Sequence, residues 1–429
     1  MYGTEGLVTG LWEGGHLDEG WVTAFTGVDR GAFVPERVWL RGPGGYWPHT
    51  REERPAAWRA AVYSDTAVVT QVGDMRAKNP GDAGHTDRAG STDGAAGAGS
   101  AHGAGRVEGS GGVEGSGRVR VGGGGCEPAL VPTSSASMPR VVARMLRALD
   151  VRPGDQVLEA GTGTGYNAAL LSHRLGDTCV TSVESDPQLA EAARAALKSA
   201  GFVPVVVTGD ADRGYTAGAP YDRVVATYAV HDIPYAWVRQ TRPGGVVVLP
   251  WGTGLYNGVL LRLTVHEGPH GPVATGHVVD DTAFMWDRAQ MPERDVMAAV
   301  HDEAGAVASR TELDPRAVLG DNDMAFTAGV LVPGARYSVG HGSRGEFTLW
   351  LADAATRSWA SVDYVPGAHA FDLQQHGPRA LWDEVTAAHT WWLDAGCPAR
   401  TRYGVTTGAG HTHIWLDHPH HRVTTRVRP

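Results

Sequence analysis

The feature that most constrains the fold of this chain is an alternation of short apolar runs with helix-forming segments between residues 128 and 265. The apolar runs are rich in valine and leucine and nearly continuous, as is expected of strands that are buried on both faces. They end in the segments QVLEAG, CVTSVES, VPVVVTGD, YDRVVAT and GGVVVLPWG. Strands that alternate with helices predict a doubly wound parallel sheet, and such sheets bind ligands at the carboxyl ends of their strands.

Two of the intervening segments carry clear helix signals. Pro139 opens the first, and a second helix is predicted to begin at Asp186 and Pro187, an N-cap and first-turn pair, and to end at Gly201. The apolar residues of the first helix recur at spacings of three and four: Val142, Met145, Leu146 and Leu149. The second helix carries Leu189, Ala193 and Leu197. We therefore expect an α/β domain in this region.

The composition changes sharply between residues 76 and 127. Most residues there are Gly, Ala, Ser, Asp, His or Arg, and the pentapeptide VEGSG occurs twice. Because few large apolar side chains are present to offset the entropy of ordering, the composition predicts a disordered linker, with a recruitment segment as the alternative. The linker separates residues 1–75 from the α/β region, residues 128–265, and from a C-terminal region, residues 266–429.

Charge and cysteine usage exclude several classes of protein. The chain has 429 residues and a formal net charge of -10, which argues against a protein that coats nucleic acid or an anionic membrane. The N-terminus lacks the features of a signal peptide, and no run of 18 apolar residues occurs. Three widely spaced cysteines predict neither a disulfide framework nor a zinc site. We expect a soluble cytoplasmic protein without a metal centre.

The C-terminal region is predicted to be a small α+β domain. EFTLWLAD and SWASVDYVP read as a hairpin, and RYGVTTGAGHTHIWLD reads as a closing hairpin. The segment GPRALWDEVTAAHTWWLDAG predicts a helix between them, with Pro378 early and Gly396 just past its end. The six tryptophans between residues 350 and 415 are more typical of a core than of an aromatic peptide groove. The histidines near the C-terminus lack the spacing of a helical metal site.

The loop EAGTGTGY follows the first strand of the α/β region. Its glycines are Gly161, Gly163 and Gly165, whereas a dinucleotide fingerprint would place its third glycine at Tyr166. The Gly-Lys pair of a phosphate-binding P-loop is also missing. If the glycines are considered without their neighbours, the alternative is a tight turn that binds no ligand.

Acidic residues at neighbouring strand ends favour a particular ligand. Glu184 ends the next strand, where it could accept hydrogen bonds from both hydroxyls of a ribose, and Asp210 ends the third strand, near the expected position of an adenine amino group. Acids near the loop are tolerated because no phosphate needs to be neutralised. These features suit S-adenosylmethionine, whose sulfonium and amino groups both favour nearby carboxylates.

Residues of about 132–252 resemble protein-L-isoaspartate (D-aspartate) O-methyltransferases, a class I methyltransferase family. The matching segments are SMP at 137–139, VARM at 142–145, VLEAGTGTGY, GDADRGY at 209–215, APYD at 219–222 and RPGGVVVLPWG. The N-terminal segments AFVPERVW and VYSDTAVVTQ resemble the family as well. The C-terminal region looks like the extra domain of larger actinobacterial-type relatives, some of which methylate aspartate in ribosomally made peptides.

The resemblance implies roles for named residues. It places Ser137 on the substrate side, where its hydroxyl could bind the accepting carboxylate, and Thr133 and Ser135 could share that role. A helix N-cap is the alternative for Ser137. The candidate cofactor-binding residues are Glu159, Gly161, Thr162, Gly163, Gly165, Tyr166, Glu184, Gly209, Asp210 and Ala211.

The chain departs from the family pattern after the fourth strand, where the family shows small residues and a proline. Tyr228 and His231 stand there and would add bulk and hydrogen bonding at the acceptor side, although core packing and surface exposure are the alternatives. The predicted function is esterification of isoaspartyl or aspartyl carboxylates in proteins or peptides. The rivals are a dedicated peptide-tailoring enzyme that forms an aspartimide, a nicotinamide-dependent oxidoreductase and a non-catalytic peptide-binding module.

Overall fold

The structure is a computed structural model and describes residues 3–42, 45–74, 130–291 and 305–424. The segment predicted to be a linker, residues 76–127, lies outside these ranges. Within them, no helix has the length and apolar character needed to cross a membrane.

The described residues form ten α-helices and eighteen β-strands. The helices are α1 (Thr4–Glu13), α2 (Glu19–Gly27), α3 (Pro55–Val62), α4 (Pro139–Leu149), α5 (Tyr166–Leu175), α6 (Pro187–Ser199), α7 (Tyr235–Gln240), α8 (Pro315–Leu319), α9 (Asn322–Leu331) and α10 (Leu381–Asp394). The first nine strands are β1 (Arg37–Gly42), β2 (Gly45–Thr50), β3 (Val68–Asp74), β4 (Leu130–Ala136), β5 (Val157–Ala160), β6 (Val180–Glu184), β7 (Val205–Thr208), β8 (Tyr221–Ala226) and β9 (Thr241–Gly252). The others are β10 (Asn257–His266), β11 (Val273–Asp281), β12 (Val307–Thr311), β13 (Arg336–His341), β14 (Phe347–Asp353), β15 (Ser358–Tyr364), β16 (Phe371–His376), β17 (Tyr403–Gly408) and β18 (His411–Leu416).

The central sheet has nine strands in the order β18-β17-β11-β10-β9-β8-β5-β6-β7. The five strands predicted from the apolar runs, β5 to β9, form its parallel part. The predicted helices α4 and α6 are confirmed, and the Asp186 carboxylate caps α6 by accepting the N–H of Gln188 at 2.9 Å. The remaining four strands, β10, β11, β17 and β18, run antiparallel to their neighbours.

Both faces are buried in the middle of this sheet, as the unbroken apolar runs predicted. The prediction is wrong for the edge strand β7, where Val205 is 47% exposed. In β9, Val246 and Val248 belong to a core shared with α1, α2, α4 and α5. Val247 and Leu249, which alternate with them, belong to a second core that includes α7 and Phe326 of α9. Because side chains on both sides of β9 pack into apolar cores, this strand shows no alternation of apolar and polar residues there.

A smaller sheet in the order β2-β1-β3-β4 attaches the N-terminal segment to the α/β region. Strands β3 and β4 are antiparallel, and their register brings Asp74 opposite Leu130. The Asp65 carboxylate accepts the backbone N–H of Arg140 at 2.9 Å and so satisfies the first turn of α4.

The third sheet, in the order β12-β16-β15-β14-β13, carries the hairpin predicted from EFTLWLAD and SWASVDYVP. Helix α10 packs on it and begins at Leu381, three residues after the predicted early proline. The closing hairpin, β17–β18, joins the central sheet instead, as does β11. Strand pairing therefore crosses the boundary predicted between residues 265 and 266, because the open edge of β10 is completed by strands from further along the chain.

Candidate functional site

A cleft opens at the carboxyl ends of β5, β6, β7 and β8, where the strand order reverses between β5 and β8. One wall is formed by the glycine loop, residues 161–165, and by the residues that follow β6, β7 and β8. The opposite wall is formed by β4 and the turn after it. A segment that follows β11, residues 282–291, closes the side of the cleft, and we call it the strap.

The glycine loop has a shape that other residues could not adopt without strain. Gly161 has φ +93°, and a Cβ atom there would lie 2.6 Å from the Thr227 Oγ1 atom. Gly165 has φ +86°, and a Cβ atom there would lie 3.3 Å from Leu197 Cγ and 3.4 Å from Ala193 Cβ, both in α6. The glycines therefore allow the loop to turn sharply and the neighbouring elements to approach closely.

Glu184 lies at the end of β6, and its carboxylate is held by the backbone. Its Oε2 accepts the N–H of Gly163 at 2.9 Å and its Oε1 accepts the N–H of Asp186 at 3.0 Å. It has no cationic partner among the described residues. Since each carboxylate oxygen can accept a second hydrogen bond, Glu184 retains the capacity to bind two donors from a ligand.

Glu159 lies deeper in the cleft and is fully buried. Burial raises the pKa of its carboxyl from the ordinary value of 4.5 to about 7, opposed by hydrogen bonds from Ser182 and Asn167 and assisted by the charge of Glu184. The Ser182 Oγ–Glu159 Oε2 distance is 2.5 Å and the Asn167 Nδ2–Glu159 Oε1 distance is 2.7 Å. The Thr162 hydroxyl lies 2.6 Å from that of Ser182. Hydrogen bonds therefore connect the glycine loop, through Ser182, to the buried Glu159.

The residues that follow β7 line the cleft at a second acidic position. The Asp210 carboxylate accepts the N–H of Asp212 at 3.0 Å and the Nε–H of the exposed Arg213 at 3.1 Å. Ala211 is buried beside it and lines the cleft. Gly209 is absent from the lining, and its N–H donates to the carbonyl of Glu184 at 2.9 Å.

Thr133, Ser135 and Ser137 all lie on the wall opposite the glycine loop. The Thr133 hydroxyl donates to Gln71 Oε1 at 2.8 Å. The carbonyl of Ser137 accepts a hydrogen bond at 2.9 Å from Arg30, a buried guanidinium. Ser137 is not a helix cap: Met138 is the N-cap residue of α4 and has no side-chain cap. The alternative role of Ser137 as a helix cap is therefore wrong.

The two residues predicted to contact the acceptor lie in different places. Tyr228 lines the cleft, and its hydroxyl donates to Asp212 Oδ1 at 2.7 Å. Burial and the neighbouring carboxylate raise the pKa of Tyr228, and burial raises the pKa of Asp212 to about 6. His231 does not line the cleft; its Nδ1 lies 3.1 Å from the carbonyl oxygen of Gly252.

The strap is the part of the site that the sequence analysis missed. Its backbone pairs with Ala229: the Ala229 N–H donates to Met285 at 2.8 Å, and the Asp287 N–H donates to Ala229 at 2.7 Å. It contributes six residues to the cleft lining: Phe284, Met285, Trp286, Asp287, Arg288 and Met291. The sequence FMWDR has neither strand nor helix periodicity, so no local signal marked it.

This part of the chain has a class I methyltransferase fold. Its defining features are the strand order β7-β6-β5-β8-β9, the glycine loop after β5 and the acid at the end of β6. Residues 128–268 match the family described as protein-L-isoaspartate(D-aspartate) O-methyltransferase (PCMT). The match is confined to the central region of the chain.

Individual relatives show how far the similarity extends. The chain is 47% identical over 118 residues to protein-L-isoaspartate O-methyltransferase 2 of Archaeoglobus fulgidus, which covers 27% of this chain and 54% of the relative. It is 43% identical over 116 residues to the protein-L-isoaspartate O-methyltransferase of Ignicoccus hospitalis, covering 27% and 55%. A solved structure of a protein-L-isoaspartate O-methyltransferase aligns over 97% of this chain and 100% of its own, with 18% identity and a TM-score of 0.49. The chain thus spans about half the length of the relatives that it matches in sequence.

Proposed function

We propose that this protein is an S-adenosylmethionine-dependent O-methyltransferase that esterifies the carboxylate of isoaspartyl or aspartyl residues in a protein or peptide. One observation carries the proposal: a single cleft joins a backbone-held acid, Glu184, and the glycine loop to a facing wall of hydroxyls. The family of residues 128–268 and the names of the related proteins support the same activity.

The residues of the cleft fit this cofactor better than a phosphate-bearing one. Five acids line it: Glu159, Glu184, Asp210, Asp212 and Asp287. Among the described lining residues, Arg288 is the only basic one, and it lies on the strap rather than at the glycine loop. Pyrophosphate would meet repulsion there, whereas a sulfonium and an ammonium group would be stabilised. Glu184 would accept the ribose hydroxyls, and Asp210 and Ala211 would lie beside the adenine.

When bound, S-adenosylmethionine supplies an electrophilic methyl group, which passes from its sulfonium sulfur to a carboxylate oxygen and leaves a thioether and a methyl ester. The side chains of the cleft need not remove a proton, because an aspartyl carboxylate with a pKa near 4 is already ionised at neutral pH. Their work is to orient the acceptor and to exclude water. Ser137, Ser135 and Thr133 would donate hydrogen bonds to the acceptor carboxylate, and the strap would shield the cleft.

A dedicated peptide-tailoring enzyme is the second candidate, favoured by the crowding of the acceptor side. Tyr228, Asp212 and the strap contribute partly buried polar groups to the cleft. A peptide that left such groups unpaired would lose about 1 to 3 kcal/mol for each, so broad acceptance of isoaspartyl sites would be penalised.

The test is transfer of a labelled methyl group from S-adenosylmethionine to a panel of short isoaspartyl peptides, aspartyl peptides and constrained aspartate-containing peptides. Turnover of any carboxylate acceptor with release of base-labile label supports the methyltransferase. Efficient turnover across the isoaspartyl set with inert aspartyl controls would support repair and reject tailoring. Absence of methyl transfer to every acceptor, in protein that binds the cofactor, would contradict the proposal.

A further inference from the structure

Arg288 stands out in the cleft because of its charge. Five carboxyl groups line the cleft, and Arg288 is the only basic side chain among the described residues that do so. An acceptor that carries a carboxylate must enter this acidic environment. A positively charged side chain close to the place where it binds would stabilise its ionised form.

The contacts of Arg288 place it beside the hydroxyl wall. Its Nη2 donates to the carbonyl of Thr133 at 3.2 Å and lies 3.4 Å from Oε1 of Gln71, the group that also accepts the Thr133 hydroxyl. Its Nη1 lies 3.7 Å from Asp186 Oδ2. The guanidinium is therefore anchored to the strand that carries Thr133 and Ser135, and it faces the same space.

These contacts leave much of the guanidinium available. Its side chain is 35% exposed, and the nearest carboxylate, that of Asp186, is already engaged by the N–H groups of Gln188 and Leu189 and by the Gln71 amide. An arginine has five N–H donors, and only two hydrogen bonds with acceptors in the described part of the chain are formed. A planar donor set of this kind matches a carboxylate in two-point geometry.

We propose that Arg288 binds the carboxylate of the acceptor, together with the hydroxyls of Thr133, Ser135 and Ser137, and so aligns the methyl-accepting oxygen. This inference rests on the proposed function, because the anion that it recognises is the methyl acceptor. The strap would then supply a positive charge to the acidic cleft, in addition to covering it.

The experiment measures charge recognition rather than rate. An acceptor peptide from the methylation panel and its isostere, in which the accepting carboxylate is a carboxamide, are titrated into protein saturated with S-adenosylhomocysteine. Wild type should bind the carboxylate peptide about tenfold to a hundredfold more tightly than the carboxamide. Arg288→Gln should bind the two equally, and Arg288→Lys should recover part of the preference, since it restores the charge but not the two-point geometry.

Arg194→Gln is the matched control. Its side chain is 37% exposed and is likewise bound to an acid and to backbone carbonyl oxygen, but it lies on α6 outside the cleft lining. It should keep the wild-type preference. A full preference for the carboxylate in Arg288→Gln, or no preference in wild type, would overturn the inference while leaving methyl transfer intact. If the wild type transfers methyl groups to no acceptor, the proposed function fails first.

Discussion

At the scale of single residues, the cleft depends on Glu184. Its carboxylate holds the backbone of Gly163 and Asp186 and keeps acceptor capacity for a ligand. Replacing it with Ala should remove two charge-assisted hydrogen bonds to the ribose, each contributing about 1.5 to 3 kcal/mol before water restores part of the loss. Glu184→Gln, which preserves the shape, should retain an intermediate affinity.

Titration calorimetry with S-adenosylhomocysteine measures this effect. Glu191→Gln is the control, because that side chain is 78% exposed on the neighbouring helix. Equal affinities of wild type and Glu184→Ala for the ligand would remove Glu184 from the cofactor site.

The raised pKa of Glu159 predicts that the free energy of unfolding depends on pH. Burial raises the pKa of its carboxyl to about 7 in the folded protein, so the folded state holds this proton more tightly than the unfolded state. The stability associated with the bound proton is complete below about pH 4.5 and is lost as the pH rises to 7, by about 3 kcal/mol.

Glu159→Gln cannot lose that proton. The difference in free energy of unfolding between Glu159→Gln and wild type should therefore grow in favour of the variant between pH 5 and pH 8. Urea unfolding at four pH values in that range measures it. A difference that stays constant with pH would mean that Glu159 is ionised throughout.

At the scale of elements, the Gln290 side chain connects the strap to the segment that follows β8. Gln290 Oε1 accepts the backbone N–H groups of His231 and Asp232, both at 2.8 Å, and its Nε2 donates to the carbonyl of Asp232 at 3.0 Å. Gln290→Ala removes all three hydrogen bonds. The amides of His231 and Asp232 should then exchange with solvent about tenfold or more faster, since the strap opens locally without global unfolding.

Hydrogen exchange resolved by residue measures this opening. Gln188→Ala, on the exposed side of α6, should leave both amides unchanged. Unaltered exchange in Gln290→Ala would show that the backbone pairing with Ala229 is sufficient to hold the strap.

At the scale of the whole molecule, the register of β3 and β4 bears on the predicted linker. Asp74 pairs with Leu130, so the ends of the intervening segment lie side by side. Deleting residues 78–124 leaves eight residues to close the hairpin, and shortening a loop changes its closure entropy only slowly. Methyl transfer to a good acceptor should stay within a few-fold of wild type. Complete loss of activity in a folded deletion protein would support the recruitment alternative.

The C-terminal region supports the same sheet that carries the cleft. Strands β11, β17 and β18 complete that sheet, and Phe326 packs against Trp251 with ring centroids 5.8 Å apart. The Arg336 guanidinium lies 5.9 Å from the ring of Trp286 on the strap. Removing residues 270–429 should therefore expose one edge and one face of the central core, and we expect no cooperatively folded product.

Circular dichroism and thermal unfolding of residues 1–269, beside the full chain, test this. A soluble fragment with a sharp unfolding transition would show that the C-terminal region is an independent addition, as the boundary at residue 266 predicts. Only in that case could its effect on acceptor choice be measured by truncation.

The sequence alone determined the parallel core, because each strand from β5 to β9 and each of α4 and α6 is specified by local patterns. Continuous valine runs, a proline at a first turn and an aspartate cap act within a few residues of where they stand. The placing of Glu184 and Asp210 at the cleft followed from strand ends, whereas that of Ser137 and Tyr228 followed from the family resemblance. Only the tertiary structure decided that His231 points elsewhere, that β11 and β17–β18 extend the sheet, and that Arg288 reaches the hydroxyl wall. Those outcomes depend on pairing between segments more than a hundred residues apart, such as β11 with β17 or Arg288 with Thr133, and no periodicity within a segment encodes its distant partner.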